Sequence, residues 1–129
     1  MAGGKLISTG VEFPDASIQT VAVPITLTAT SNLGLGTGAV DSITTGDYNV
    51  GVGDNALTAT TTGYQNTATG YQALYANTTG IRNTAVGTFA LYTNTTASYN
   101  TALSRSALFS NTTGANNTAS GYTALYANT

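Results

Sequence analysis

A repeat of seventeen residues dominates the sequence and runs without insertion or deletion from Asn32 to the last residue. An asparagine opens each of its six rows, at Asn32, Asn49, Asn66, Asn83, Asn100 and Asn117. The shared pattern is N-T-A-x-G-x-x-A-L-Y-x-N-T-T-G-x-x, and the sixth row is incomplete. A strict period of this kind is typical of solenoids, in which each row forms one coil that contacts only the neighbouring coils.

The composition of the rows favours strands over helices. Thr, Asn and Gly fill most of each row, and these residues are poor in helix interiors, whereas Thr suits the pleated surface of a strand. The glycine that ends N-T-T-G, such as Gly80, and its equivalent Gly63 after T-T-T are expected to supply a positive φ at a tight corner. We therefore predict an all-β fold, a parallel β-solenoid (β-roll) of 17-residue coils, with two short strands and two tight corners per coil.

Stacking of the rows places equivalent residues in columns that run along the rod. The alanine column comprises Ala39, Ala56, Ala73, Ala90, Ala107 and Ala124, and the leucine column comprises Val40, Leu57, Leu74, Leu91, Leu108 and Leu125. An aromatic column starts in the third row and comprises Tyr75, Tyr92, Phe109 and Tyr126. The asparagines that open the rows, above all Asn49, Asn66, Asn83, Asn100 and Asn117, are expected to hydrogen-bond along the rod as a ladder.

The core of such a coil is thin. Each row offers one large aliphatic residue, two alanines or glycines and little else, while ordering a residue costs about 1.5 kcal/mol. We therefore predict a homotrimer with a core shared around a threefold axis, which would form if the leucine and aromatic columns face neighbouring chains. Whether the leucine column faces that axis or the interior of its own coil stays open at this point.

Residues 1–31 do not follow the repeat. They contain both prolines, Pro14 and Pro24, and an alternation of apolar and polar residues around Ile25 and Leu27 that is consistent with short strands or an extended arm. We interpret this part as an N-terminal attachment or docking segment that precedes the rod at residues 32–129.

The composition argues against catalysis, metal binding and a nucleic-acid or membrane partner. Only 6% of residues are charged, the formal net charge is −2, and the basic residues are Lys5, Arg82 and Arg105, which indicates neither a nucleic-acid nor a membrane partner. The chain has no histidine or cysteine, and residues 55–129 contain no Asp or Glu. Metal ligation of the usual kind and paired-carboxylate catalysis are therefore not expected, and we predict a protein that is not an enzyme and has no cofactor.

The rows NTATGYQALYANTTG and NTAVGTFALYTNTT resemble the N-T-A-x-G-x-x-A-L repeats of bacteriophage tail-fibre proteins. They are also similar to the head repeats of trimeric autotransporter adhesins. The opening VEFPDASIQTVA is similar to the F-x-D-G-x-x-Q-T-x-A segment near the start of many phage fibre proteins, although Ala16 stands where that segment has glycine. The matching residues are Phe13, Asp15, Gln19, Thr20 and Ala22.

The resemblance implies a structural component of a phage tail fibre, located in the virion. Residues 1–31 would bind a tail or baseplate protein, and the trimeric rod would project a distal region that recognises the host cell surface. Because the sixth row stops at its thirteenth residue, we expect the native polypeptide to continue beyond Thr129 and to carry that distal region there.

Three alternatives remain. The chain could be the head of a trimeric adhesin on a bacterial cell surface and bind a surface directly, although no long signal peptide is visible. The adjacent threonines of N-T-T-G could form a flat ice-binding face, although adjacent residues suit a turn better than one face of a strand. Tyrosines such as Tyr71 and Tyr122 could contact carbohydrate if they are exposed.

Overall fold

The computed structural model describes the strands Leu6–Ile7, Gly10–Val11 and Ile25–Leu27 and the continuous range 31–128. The strands are β1 (Leu6–Ile7), β2 (Gly10–Val11), β3 (Ile25–Leu27), β4 (Leu33–Leu35), β5 (Val50–Val52), β6 (Thr67–Thr69), β7 (Thr84–Val86), β8 (Thr101–Leu103) and β9 (Thr118–Ser120). The described residues contain no helix.

The repeat forms a parallel β-solenoid. Strands β4 to β9 pair in sequence order, each parallel to the next, and the register joins residues one row apart, so that Thr67 pairs with Thr84 and Thr84 with Thr101. The prediction of an all-β parallel solenoid with 17-residue coils is confirmed. The prediction of two strands per coil is wrong, because each coil has one three-residue strand and closes through turns.

Left-handed backbone conformations replace the second strand. In the coil that begins at Asn66, a positive φ occurs at Gly70 (131°), Gln72 (53°), Leu74 (51°) and Arg82 (54°). Reversals at alternate residues after the strand turn the chain too sharply for strand pairing. The first of these positions is the glycine column, Gly36, Gly53, Gly70, Gly87, Ser104 and Gly121.

The glycine of N-T-T-G has a different role from the one expected. Gly63 and Gly80 do not have a positive φ, so the corner argument was wrong for these residues. A Cβ on Gly63 would lie 2.5 Å from the carbonyl oxygen of Gly80 in the next coil. The residue is small there because two backbones approach closely, and Ala97 takes the equivalent place one coil beyond Gly80.

The core lies inside each single chain. The middle residue of every strand from β4 to β9 is buried, as are the alanine column from Ala39 to Ala107 and the leucine column from Val40 to Leu108. Leu57, Leu74, Leu91 and Leu108 are all 0% exposed. Of the two orientations that the sequence left open, the leucine column therefore takes the one toward the interior of its own coil.

The sheet begins before the first row of the repeat. Strand β3 pairs antiparallel with β4, with Ile25 opposite Leu35 and Leu27 opposite Leu33. This pairing covers the N-terminal edge of the parallel sheet, which would otherwise present unpaired backbone groups. Strands β1 and β2 form a separate two-stranded antiparallel sheet.

Candidate functional site

The rod carries two asparagine ladders along its axis. In the first, the Oδ1 atom of each row-opening asparagine accepts the backbone N–H of the next one, at 2.7 to 3.0 Å from Asn49 through Asn117. The Nδ2 group of the same side chain donates to a carbonyl of its own coil, as from Asn83 to Ala97 at 2.8 Å. Because these amides are buried and hydrogen-bonded on both sides, they fix the register between coils.

The second ladder comprises the asparagines of N-T-T, namely Asn77, Asn94, Asn111 and Asn128. Each Nδ2 group donates to the Oδ1 atom of the preceding member, at 2.9 to 3.2 Å. The two ladders share acceptors, since the Gly80 carbonyl accepts from Asn66 at 2.8 Å and from Asn77 at 3.1 Å. Only the first ladder was predicted from the sequence, although the asparagines of the second ladder have the same spacing of seventeen residues.

The second ladder begins at Asn77, and Thr60 takes the equivalent place in the second row. Thr60 is fully buried, and among the described residues its Oγ1 is the one buried side-chain oxygen or nitrogen atom without a hydrogen-bond partner. We expect Thr60→Asn to stabilise the rod by about 1 to 2 kcal/mol, because the amide can bond both the Gly63 carbonyl and Asn77. The midpoint of urea unfolding measures this gain.

Thr60→Val is the matched control for that substitution. It removes the hydroxyl without supplying an amide, so its gain should be smaller than that of Thr60→Asn. A Thr60→Asn protein that unfolds at a lower urea concentration than Thr60→Val would contradict the ladder interpretation.

The threonine at the thirteenth position of the row hydrogen-bonds through its hydroxyl to the backbone of the next coil. The hydroxyls of Thr44, Thr61, Thr78 and Thr95 donate to the carbonyl of the equivalent threonine in the next coil, at 3.0 to 3.4 Å. Because these hydroxyls lie along the rod axis in hydrogen bonds, they do not form the free, flat array on which the ice-binding alternative depends.

The aromatic column is a continuous stack on the outside of the rod. Ring centroids are 5.2 Å apart from Tyr75 to Tyr92, 5.1 Å from Tyr92 to Phe109 and 4.9 Å from Phe109 to Tyr126, with the planes within 15° of parallel. Phe89 packs edge-on against Tyr92 at 5.6 Å, and Tyr71 packs edge-on against Phe89 at 5.5 Å. We call these six residues the aromatic strip.

The aromatic strip keeps part of its surface exposed. Tyr71 is 46% and Tyr126 43% exposed, and the other members are partly buried. Because the rings of the aromatic column stack face to face, the surface that they expose consists of ring edges and phenol hydroxyls. A partly apolar strip of this kind, several coils long, is suited to contact with another protein surface.

The remaining sites of the sequence analysis fall in two groups. Phe13, Asp15, Gln19, Thr20 and Ala22, proposed for attachment, lie outside the described residues. The described carboxylates are Asp41, Asp47 and Asp54, and no group of three or more His, Cys, Asp or Glu that could hold a metal ion was found in the described residues.

A search of the described residues for a helix able to span a membrane found none. Comparisons of the chain with protein-family models, with curated proteins and with solved structures gave no match.

Proposed function

We propose that this chain is a structural component of a bacteriophage tail fibre, in which residues 1–31 attach to a tail or baseplate protein and the rod holds a distal receptor-binding region away from the particle. The observation that carries the proposal is the pair of buried asparagine ladders, which ties every coil to the next along one axis. A rod stiffened in this way transmits position and force, and it needs no chemistry.

The rod is proposed to be a homotrimer that assembles through the aromatic strip. The leucine column is buried inside each chain, so a core shared between chains has to come from residues on the outside of the rod. The aromatic strip is the longest run of contacting rings on that surface, and threefold symmetry would raise avidity for a repeated receptor.

Sedimentation equilibrium tests this assembly. The chain is expected to have a mass of about three times 13.0 kDa, and Tyr92→Lys is expected to shift it to monomer by placing a charge among the stacked rings. Tyr64→Lys is the matched control, since Tyr64 is 39% exposed and lies outside the aromatic strip; it should leave the trimer intact. A folded wild-type monomer would contradict the trimer.

The role in a fibre has its own test. An antibody raised against the chain should label the tail fibres of virions in electron micrographs of the phage that encodes it. Label on the surface of uninfected bacteria, with none on virions, would favour the second candidate, the head of a trimeric adhesin. That candidate is favoured by the exposed rings of Tyr48, Tyr64 and Tyr99 on the rod.

A further inference from the structure

A strip of exposed side chains runs along the rod and shares no residue with the asparagine ladders or the aromatic strip. It consists of the residue that precedes the row-opening asparagine in four successive coils, Tyr48, Gln65, Arg82 and Tyr99, and we call it the arginine strip. All four side chains are exposed, with Tyr48 at 64% and Tyr99 at 48%. At a coil spacing of about 4.8 Å the strip is about 14 Å long.

The backbone of the arginine strip is held in a conformation that these residues rarely adopt. The φ angles are 59° at Tyr48, 56° at Gln65, 54° at Arg82 and 61° at Tyr99. Glycine or asparagine fits such an angle better, and Asn116 takes the equivalent place in the next coil. In the leucine column the same strain is offset by burial, but these exposed side chains gain no burial, so their identity points to a role at the surface.

The guanidinium of Arg82 is fixed within the strip. Its Nε–H donates to Oε1 of Gln65 at 2.9 Å, and an N–H of its Nη1 group donates to the Tyr99 hydroxyl at 2.9 Å. The guanidinium carbon lies 5.6 Å from the centroid of the Tyr99 ring. Both partners are neutral, and no carboxylate in the range 31–128 pairs with Arg82. The charge is oriented, and its remaining N–H groups are available to a ligand.

We propose that the arginine strip binds an acidic saccharide, a linear glycan carrying carboxylate or phosphate groups. The guanidinium offers a planar fork that matches the two oxygens of either anion. The tyrosines on either side of Gln65 and Arg82 supply apolar rings with hydroxyl tips, which suit the mixed C–H and O–H surface of a sugar.

The shape of the strip favours a glycan over a protein partner. A stable protein interface needs about 800 Å² from each partner with an apolar centre, whereas the arginine strip is a single line of polar and aromatic side chains. A line about 14 Å long accommodates several rings of a linear polymer. The site lies on the side of the rod and does not depend on the distal region or on trimer formation.

Isothermal titration calorimetry with the full chain tests the proposal. The probes are trigalacturonate, its fully methyl-esterified form, which is neutral, and a sugar phosphate. Trigalacturonate is expected to bind wild-type chain at least about tenfold more tightly than the ester does, because the ester cannot accept charge-assisted hydrogen bonds from Arg82. Comparison with the sugar phosphate distinguishes carboxylate from phosphate ligands.

Arg82→Gln and Arg105→Gln form a matched pair, because each removes one exposed positive charge and Arg105 lies outside the arginine strip. Arg82→Gln is expected to weaken trigalacturonate binding by about tenfold or more, while Arg105→Gln stays within about twofold of wild type. Equal losses in the two variants, or equal binding of the ester and the acid, would overturn the proposal. So would a change of sedimentation mass in Arg82→Gln alone, since a carboxylate of another copy would then occupy the strip.

Discussion

Gly70→Ala is expected to destabilise the rod by about 2 to 6 kcal/mol. The added Cβ would lie 2.7 Å from the carbonyl carbon of Gly87 and 3.0 Å from the nitrogen of Thr88, so the next coil has to move. In addition, Gly70 has a φ of +131°, which a residue with a side chain rarely adopts. Chemical denaturation followed by circular dichroism measures the loss.

In the 129-residue chain, Gly121→Ala separates the two contributions. Gly121 occupies the same column with a φ of +123°, but the nearest atom to its added Cβ is the Ala124 Cβ at 4.0 Å. Only the backbone term of about 1 to 3 kcal/mol then applies. Ser104 already carries a side chain in this column, at a φ of 111° in place of the 123° to 131° of the glycines. Equal losses for Gly70→Ala and Gly121→Ala would refute the close approach between coils as the cause.

Leu74→Asp is expected to destabilise the rod by about 5 kcal/mol or more. Leu74 is 0% exposed and packs in a core cluster that includes its neighbours in the leucine column. The substitution removes an aliphatic side chain, at about 2 to 5 kcal/mol, and buries a carboxylate among aliphatic groups. Because the total stability of a domain is about 5 to 15 kcal/mol, thermal unfolding should occur at a much lower temperature or the coil should not fold at all.

In the 129-residue chain, Leu125→Asp makes the same chemical change in the last row of the rod, where the column is exposed. Leu125 belongs to the same column but is 49% exposed in the last described coil, so the change should alter the free energy of unfolding by about 1 kcal/mol or less. A folded Leu74→Asp monomer, beside a trimeric wild type, would mean that the leucine column contributes to contacts between chains and not to the coil interior.

The period and the stacking register could be predicted from the sequence. A row length without insertions leaves a single register, which puts Asn66 beside Asn83 and Leu74 beside Leu91, and the structure has that register. The solenoid itself followed from composition, because Thr, Asn and Gly disfavour a helix over so many rows. The fixed row length and the composition that disfavours a helix both recur in every row, so each of these two predictions rests on the whole rod.

The course of the chain within a coil could not be predicted in the same way. Leucine has a low preference for a positive φ, yet Leu74 adopts 51° and Leu91 adopts 51° because burial of the side chain inside the coil outweighs the local strain. Conversely, Gly80 is small because its Cβ would meet Asn77 and Ala97, and its φ is not positive. Sequence patterns report local preference, whereas these angles are set by contacts between coils.

The candidate sites were predictable in unequal degree. The first asparagine ladder and the aromatic column follow directly from the repeat, since identical residues stack on one another. The arginine strip does not, because this position holds Tyr48, Gln65, Arg82 and Tyr99 in successive rows and shows no consensus residue. Their shared direction depends on a backbone angle that the row pattern does not reveal.

The asparagine ladders also give the rod a polarity. In both ladders each asparagine donates toward the coil that precedes it in the chain, as from Asn94 to Asn77 and from the Asn100 backbone to Asn83. Every coil therefore presents ladder acceptors to the coil that follows it and ladder donors to the coil that precedes it. A coil placed in the opposite orientation would lose these hydrogen bonds, so all coils of the rod have to point in one direction.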